Sequence, residues 1–268
     1  MTGRILLPVV ALACVFSIRA EQPLKVEGCF DPKGGHIQGM CRGGGFTYLT
    51  QMTGICKIDG AGKCVARIPA LSHTGDVCWH DGRIYSSVSV YVGPDKGKGK
   101  IQVFDADLRL LKEHTYARGL DGIAWLDGRL YVGQGSHLET VPHAAGAKPE
   151  SKTPHLENDM LIVDPETLEV VEKRTYSHGG KTRYGAQNIT TDGKLLYVTF
   201  YPGEKGAPDL VAYDRDLKPG WKAVAGAGTG IEFVGFENGK PRFLKSKTIK
   251  GKGTISAEIL AANPREVR

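Results

Sequence analysis

Several absences narrow the reading of this 268-residue chain before any motif does. There is no dense Arg/Lys helix, zinc-finger spacing or RNP signature, so the modest formal charge of +6 does not point to nucleic acid. No Gly-x-Ser-x-Gly elbow is present, and the glycines at 43–45 are not followed by a helix pattern, so they form no phosphate loop. No C-x-x-C spacing occurs, which weakens a metal reading of Cys56 and Cys64. Beyond the N-terminus no apolar run is long enough to span a membrane, and no stretch with 3.6-residue periodicity indicates a helical fold.

What is present begins with a leader. Residues 1–20 join Arg4, the apolar run ILLPVVALACVF and a small residue at Ala20, which reads as a secretory signal cut after Ala20. Residues 21–268 are then a single secreted or periplasmic domain. A lipoprotein anchor at Cys14 is the alternative. Export permits disulfides. Without Cys14 five cysteines remain, at 29, 41, 56, 64 and 78. Cys56 and Cys64 flank a Gly-rich turn, where either a cross-strand disulfide or buried free thiols fit.

The strongest signal is repetition. VCWHDGRIY (77–85), IAWLDGRLY (123–131), ITTDGKLLY (189–197) and FVGFENGKPRF (233–243) each set a polar, Gly-containing turn between two apolar runs. That is a β-hairpin signature. A second hairpin follows in IQVFDADLRLLKE (101–113), MLIVDPETLEVVEK (160–173) and LVAYDRDLKPGWK (210–222), with a shorter form in CKIDGAGKCVARI (56–68). The unit is four strands, A to D. The residues ahead of successive A strands, Gly39, Asp76, Gly122, Asn188 and Glu232, are spaced by 37, 46, 66 and 44 positions. The long interval contains a Pro/Ala/Lys-rich insertion between strands B and C (137–158). Four-stranded repeats at this period predict an all-β, five-bladed β-propeller. Its last blade lacks a good D strand, and the mature N-terminus, PLKVEGCF (23–30), is expected to supply it and close the ring.

HIQGM (36–40), HTGDV (73–77) and the D-x-x-L hairpins resemble secreted bacterial propellers of the broad NHL/YncE-like kind, closest to a family with an H-x-Q-G opening motif. HIQGM is also similar to the opening of five-bladed glutaminyl cyclotransferases, a resemblance that implies acyl transfer. That family's later Glu-Gly motifs are replaced here by Gly75-Asp76, Asp121-Gly122 and Gln187-Asn188.

In a propeller the residues ahead of each A strand converge on one channel mouth. The expected set is His36, Gln38, His73, Asp76, Asp121, Arg183, Tyr184, Gln187, Asn188 and Glu232, with Tyr201 from a B–C loop. His73, Asp76, Asp121 and Glu232 are the candidate acid–base residues, since crowded carboxylates separate one another's pKa values. Gln38, Arg183, Tyr184, Gln187, Asn188 and Tyr201 are candidate ligand contacts. His36, His73 and Asp76 are a candidate set for Zn or Mn, while carboxylate and amide oxygens alone suit Ca. Asp105, Asp107, Asp164 and Asp214 read instead as turn formers at the rim. The functional expectation is a site for a small carbohydrate-like or anionic ligand, with metal-assisted hydrolysis or elimination open. The alternative is a non-catalytic scaffold that binds a glycan or a protein partner.

Overall fold

The computed structural model describes residues 24–26, 29–31, 35–70, 72–134, 155–182, 185–200, 209–224, 228–250, 255–262 and 265–266. Among these residues the ordered elements are all strands, arranged in antiparallel sheets. No helix among them is long and apolar enough to cross a membrane.

Among the described residues the first strand is β1 (Leu24–Val26), and consecutive meanders follow. Sheet 1 is β2 (Ile37–Gly43), β3 (Phe46–Gln51), β4 (Gly54–Ile58) and β5 (Cys64–Pro69). Sheet 2 is β6 (His73–His80), β7 (Arg83–Ser89), β8 (Gly99–Asp105) and β9 (Leu110–Tyr116). Sheet 3 is β10 (Leu120–Leu126), β11 (Arg129–Gln134), β12 (His155–Val163) and β13 (Val170–Thr182). Sheet 4 begins with β14 (Ala186–Thr191), β15 (Leu196–Phe200), β16 (Asp209–Tyr213) and β17 (Pro219–Val224). Sheet 5 runs β18 (Ile231–Glu237), β19 (Lys240–Lys250) and β20 (Ile255–Ala262), and β1 lies beside β20 with Leu24 opposite Ile259. The C-terminal tail takes a place the sequence does not suggest. It forms β21 (Arg265–Glu266), which extends sheet 4 to five strands by pairing with β17.

Local chemistry explains the meanders. The A–B turns put Gly44-Gly45, Asp81-Gly82, Asp127-Gly128 and Asn238-Gly239 at positive φ, as two-residue hairpins with the right twist require. The C–D turns are pinned by a carboxylate. Asp59, Asp105, Asp164 and Asp214 each accept two backbone N–H groups on Oδ1, at 2.9 to 3.0 Å. Asp105, Asp164 and Asp214 are turn formers, as expected, Asp59 adds a fourth, and Asp107 instead accepts from Lys57 Nζ at 2.9 Å. The leucine that closes three of these turns, at 108, 168 and 217, is buried yet has a φ of 60 to 64°. A non-glycine residue in that region is strained, and burial of the leucine side chain offsets the cost. The first turn has Gly62 instead, where a Cβ would collide with the Lys25 carbonyl of β1.

The core lies between sheets. Tyr48, Tyr85, Tyr131, Tyr197 and Phe243 occupy matching positions on the second strand of each sheet, opposite Cys41, Cys78, Ala124, Thr190 and Phe233, and all five rings are buried. Truncating such a ring to Ala costs about 3–5 kcal/mol. Trp79 stacks on Tyr48 and Trp125 on His80, so both tryptophans pack between neighbouring sheets.

Candidate functional site

Each inner strand presents one edge of unpaired backbone groups to the centre, and the side chains there are organised around that fact. The inner strands of four sheets carry a β-bulge at the same point. The register shifts between Ile37 and Gly39, Thr74 and Val77, Leu120 and Ile123, and Ala186 and Asn188. The bulged residues include Gln38, Asp76, Asp121 and Gln187, all four of which the sequence singles out. Bulges re-aim side chains and cluster beside functional sites.

Asp76 is the centre of this arrangement. It is 0% exposed, and its Oδ2 accepts the Ile123 N–H of sheet 3 at 3.2 Å and the Ile189 N–H of sheet 4 at 2.8 Å. One carboxyl group thus joins the inner strands of three sheets. Burial holds its pKa well above the usual carboxylate range, against the opposing pull of the Ile189, Val77 and Ile123 amides and the Asn188 side chain. Asn188, also fully buried, repeats the device one sheet on, its Oδ1 accepting the Ile231 N–H at 2.6 Å. Hydroxyls on the second strands close the remaining gaps: Thr50 donates to the Gly75 carbonyl at 2.5 Å, Ser87 to that of Asp121, and Thr199 to that of Gly228 at 2.7 Å.

The expected residues therefore separate into three levels. His36 is exposed just ahead of β2, and His73, the first residue of β6, is partly buried with its ring 4.9 Å from that of Tyr91. Gln187 is partly exposed, while Gln38 and Asp121 lie beneath, 4% and 2% exposed. Ser89 Oγ bonds the Leu120 carbonyl at 3.0 Å and reaches Asp121 Oδ1 at 3.4 Å. Burial and the Asp121 charge push the Tyr91 phenol above its usual pKa. Asp76 and Asn188 form the sealed middle level, so Asp76 does not stand at an open mouth.

Glu232 forms the third level. The bulge in β18 falls later, between Phe233 and Gly235, so Glu232 stays in regular register opposite Leu244. Its Oε2 accepts the Thr190 hydroxyl at 2.8 Å, and its charge lies close to the buried Cys41 and Cys78 thiols, deeper along the inner strands than Asp76. Burial lifts its pKa to about 7, against the pull of Thr190 and of Arg42. Arg183, Tyr184 and Tyr201 lie outside the described residues.

Two expectations about metals and thiols change. Among the described residues, the one set of three His, Cys, Asp or Glu donors within 4.8 Å of one another is Cys29, Cys56 and Cys64. His36, His73 and Asp76 do not assemble, because the first is exposed and the last is sealed under backbone amides; Asp76, Asp121 and Glu232 do not assemble either. The Cys56–Cys64 pairing is replaced by a Cys29–Cys64 disulfide, with Cys41, Cys56 and Cys78 buried as thiols.

A buried polar pair between sheets 3 and 4 is also absent from the sequence reading. His178 of β13 sets Nε2 2.8 Å from Asp209 Oδ2 of β16 and Nδ1 3.0 Å from the Gly180 carbonyl, with Lys222 Nζ 3.5 Å from Asp209. The only hint in the sequence is a charged residue opening the apolar run LVAY.

Fold and site together define an all-β protein of the propeller class with a polar centre. No protein-family model and no curated protein matches the chain. Solved structures do. A glutaminyl cyclase from Myxococcus xanthus is similar over 93% of this chain and 97% of its own, with a TM-score of 0.56 at 10% identity. A bifunctional GH43-CE protein from Bacteroides eggerthii is similar over 88% of this chain and 33% of its own, with a TM-score of 0.50 at 14% identity. At such identities the likeness shows the fold alone.

Proposed function

We propose that the chain forms a closed five-bladed ring whose bulged mouth binds a small, neutral, carbohydrate-like ligand. The observation that carries this reading is the bulge at one level in four inner strands, which brings Gln38, Asp121 and Gln187 to the same strand ends as His36 and His73, with Tyr91 against His73 and near the Asp121 charge. Carboxylate and amide groups offer acceptors and donors in the mixture that hydroxyl-rich molecules use, and aromatic rings complement the apolar face of a sugar. An anionic ligand fits less well, since the Asp121 charge would oppose it. Binding is favoured over hydrolysis because Asp76 is sealed and Glu232 is engaged with Thr190, so the candidate acid–base carboxylates do not form a working pair. Closure is supported by the fifth interface, where Leu24, Val26 and Cys29 pack with Ile37, Met40 and Leu244. Export would provide the oxidising surroundings in which the Cys29–Cys64 disulfide persists.

The test is calorimetry and thermal shift with a panel of neutral oligosaccharides and the matching sugar acids. Gln187→Ala and His73→Ala are each expected to weaken the best neutral ligand about tenfold, the cost of roughly one hydrogen bond, without lowering Tm. No binding of neutral sugars, or binding by both variants as tight as that of the parent, would overturn the proposal.

A further inference from the structure

Outside the mouth the densest group of reactive side chains is the cysteine cluster at the start of the chain. Cys29 follows β1, Cys56 lies on β4 and Cys64 opens β5, and their sulfurs are all within 4.8 Å of one another. Cys29 and Cys56 are about 1% exposed and Cys64 is partly buried. A disulfide needs two of them. The third is no bystander, because the Cys56 thiol points back at the Cys29 carbonyl, 3.1 Å away, and the Arg67 guanidinium hydrogen-bonds to Cys56.

We propose that in the reduced protein Cys29, Cys56 and Cys64 form a three-thiolate site for Cu(I), of which the Cys29–Cys64 disulfide is the oxidised, metal-free form. Thiolates are the soft ligands that select such an ion. Metal–sulfur bonds of about 2.3 Å, arranged in a trigonal plane, place three sulfurs about 4 Å apart; the three already lie within 4.8 Å, and once the Cys29–Cys64 bond is reduced those two sulfurs need only part to that distance. No fourth His, Cys, Asp or Glu donor joins the group among the described residues. That favours an ion content with three ligands over Zn, which takes four in its structural sites. A dithiol reductant delivers two electrons and two protons to the Cys29–Cys64 bond and leaves as its own disulfide. Cu(I) then displaces three thiol protons, giving a complex of charge −2 that the neighbouring Arg67 partly offsets. The same three residues hold the N-terminal segment to sheet 1 in either form, so the fold does not depend on which one is present.

The full chain, reduced anaerobically with a phosphine, is titrated with Cu(I) against a colorimetric chelator, with Cys14→Ser introduced throughout to remove the leader thiol. One Cu(I) per chain, release of three protons and a loss of at least a hundredfold in affinity in Cys56→Ser are expected. The C41S/C78S double variant is expected to bind like the parent. Failure to bind Cu(I), undiminished binding by Cys56→Ser, or loss of binding in C41S/C78S would each overturn the assignment. If Cys56→Ser does not fold, X-ray absorption at the copper edge of the parent decides: three sulfur neighbours support the site, and two refute it.

Discussion

Asp76→Ala and Asp76→Asn separate a sealed structural carboxyl from an exposed catalytic one. Alanine leaves the Ile123 and Ile189 N–H groups buried without an acceptor. Each such group costs about 1–3 kcal/mol, so a loss of about 4 kcal/mol is expected, or roughly 8–16 °C in Tm for a domain of this size. Asparagine keeps an acceptor oxygen and should cost under about 1.5 kcal/mol at acidic pH. The pH dependence then fixes the sign. The folded pKa of Asp76 lies above its unfolded value, so its contribution is complete below about pH 4, the unfolded range, and is lost as pH rises toward the folded pKa. The unfolded chain binds fewer protons across that interval, and stability falls by up to about 1.4 kcal/mol per pH unit. Chemical denaturation of wild type and Asp76→Asn from pH 4 to 8 should therefore show the wild-type advantage shrinking with pH, while amide exchange at Ile123 and Ile189 quickens in Asp76→Ala alone. A wild-type advantage that grows with pH would mean an ionised, stabilised carboxylate and refute the reasoning.

Two further outcomes follow from the packing. Gly39→Ala puts a Cβ 2.6 Å from the Asp76 Cα and 2.7 Å from its Oδ1; overpacking against backbone should cost about 3 kcal/mol, read as a lower urea midpoint at unchanged m. Asp209→Asn weakens the acceptor that holds buried His178 between sheets 3 and 4, and a loss of about 2–4 kcal/mol in thermal unfolding is expected, whereas Asp216→Asn on the exposed rim should change Tm by under about 2 °C.

The sheets were legible in the sequence because their signals are local. An Asp-Gly or Asn-Gly pair sets a hairpin wherever it falls, and the D-x-x-L turns need only a carboxylate and the amides that follow it. The site was legible in part, for a physical reason. A bulge depends on which partner residue each strand residue faces, and that register is invisible in one strand. Counting back from apolar runs therefore found Gln38, Asp76, Asp121 and Gln187, yet it could not show that Asp76 is sealed while His36 is open. It placed Glu232 with the others, although the β18 bulge comes after that residue and sends it toward Thr190. Cys29 was hidden by distance, since it reaches Cys64 across 35 residues of chain. His178 and Asp209 meet between two sheets, and neither belongs to a repeated motif.

The odd glycine among the Asp-to-Leu turns carries a wider meaning. Leu108, Leu168 and Leu217 fill the space under their turns, but at position 62 that space belongs to the chain's own first strand. The first repeat is thus cut to receive a guest that the later ones never meet. Any attempt to make the repeats identical, by copying a leucine version into the first, would evict β1 and with it the segment that leads to Cys29. The irregular copy is the one whose turn makes room for a strand from another part of the chain.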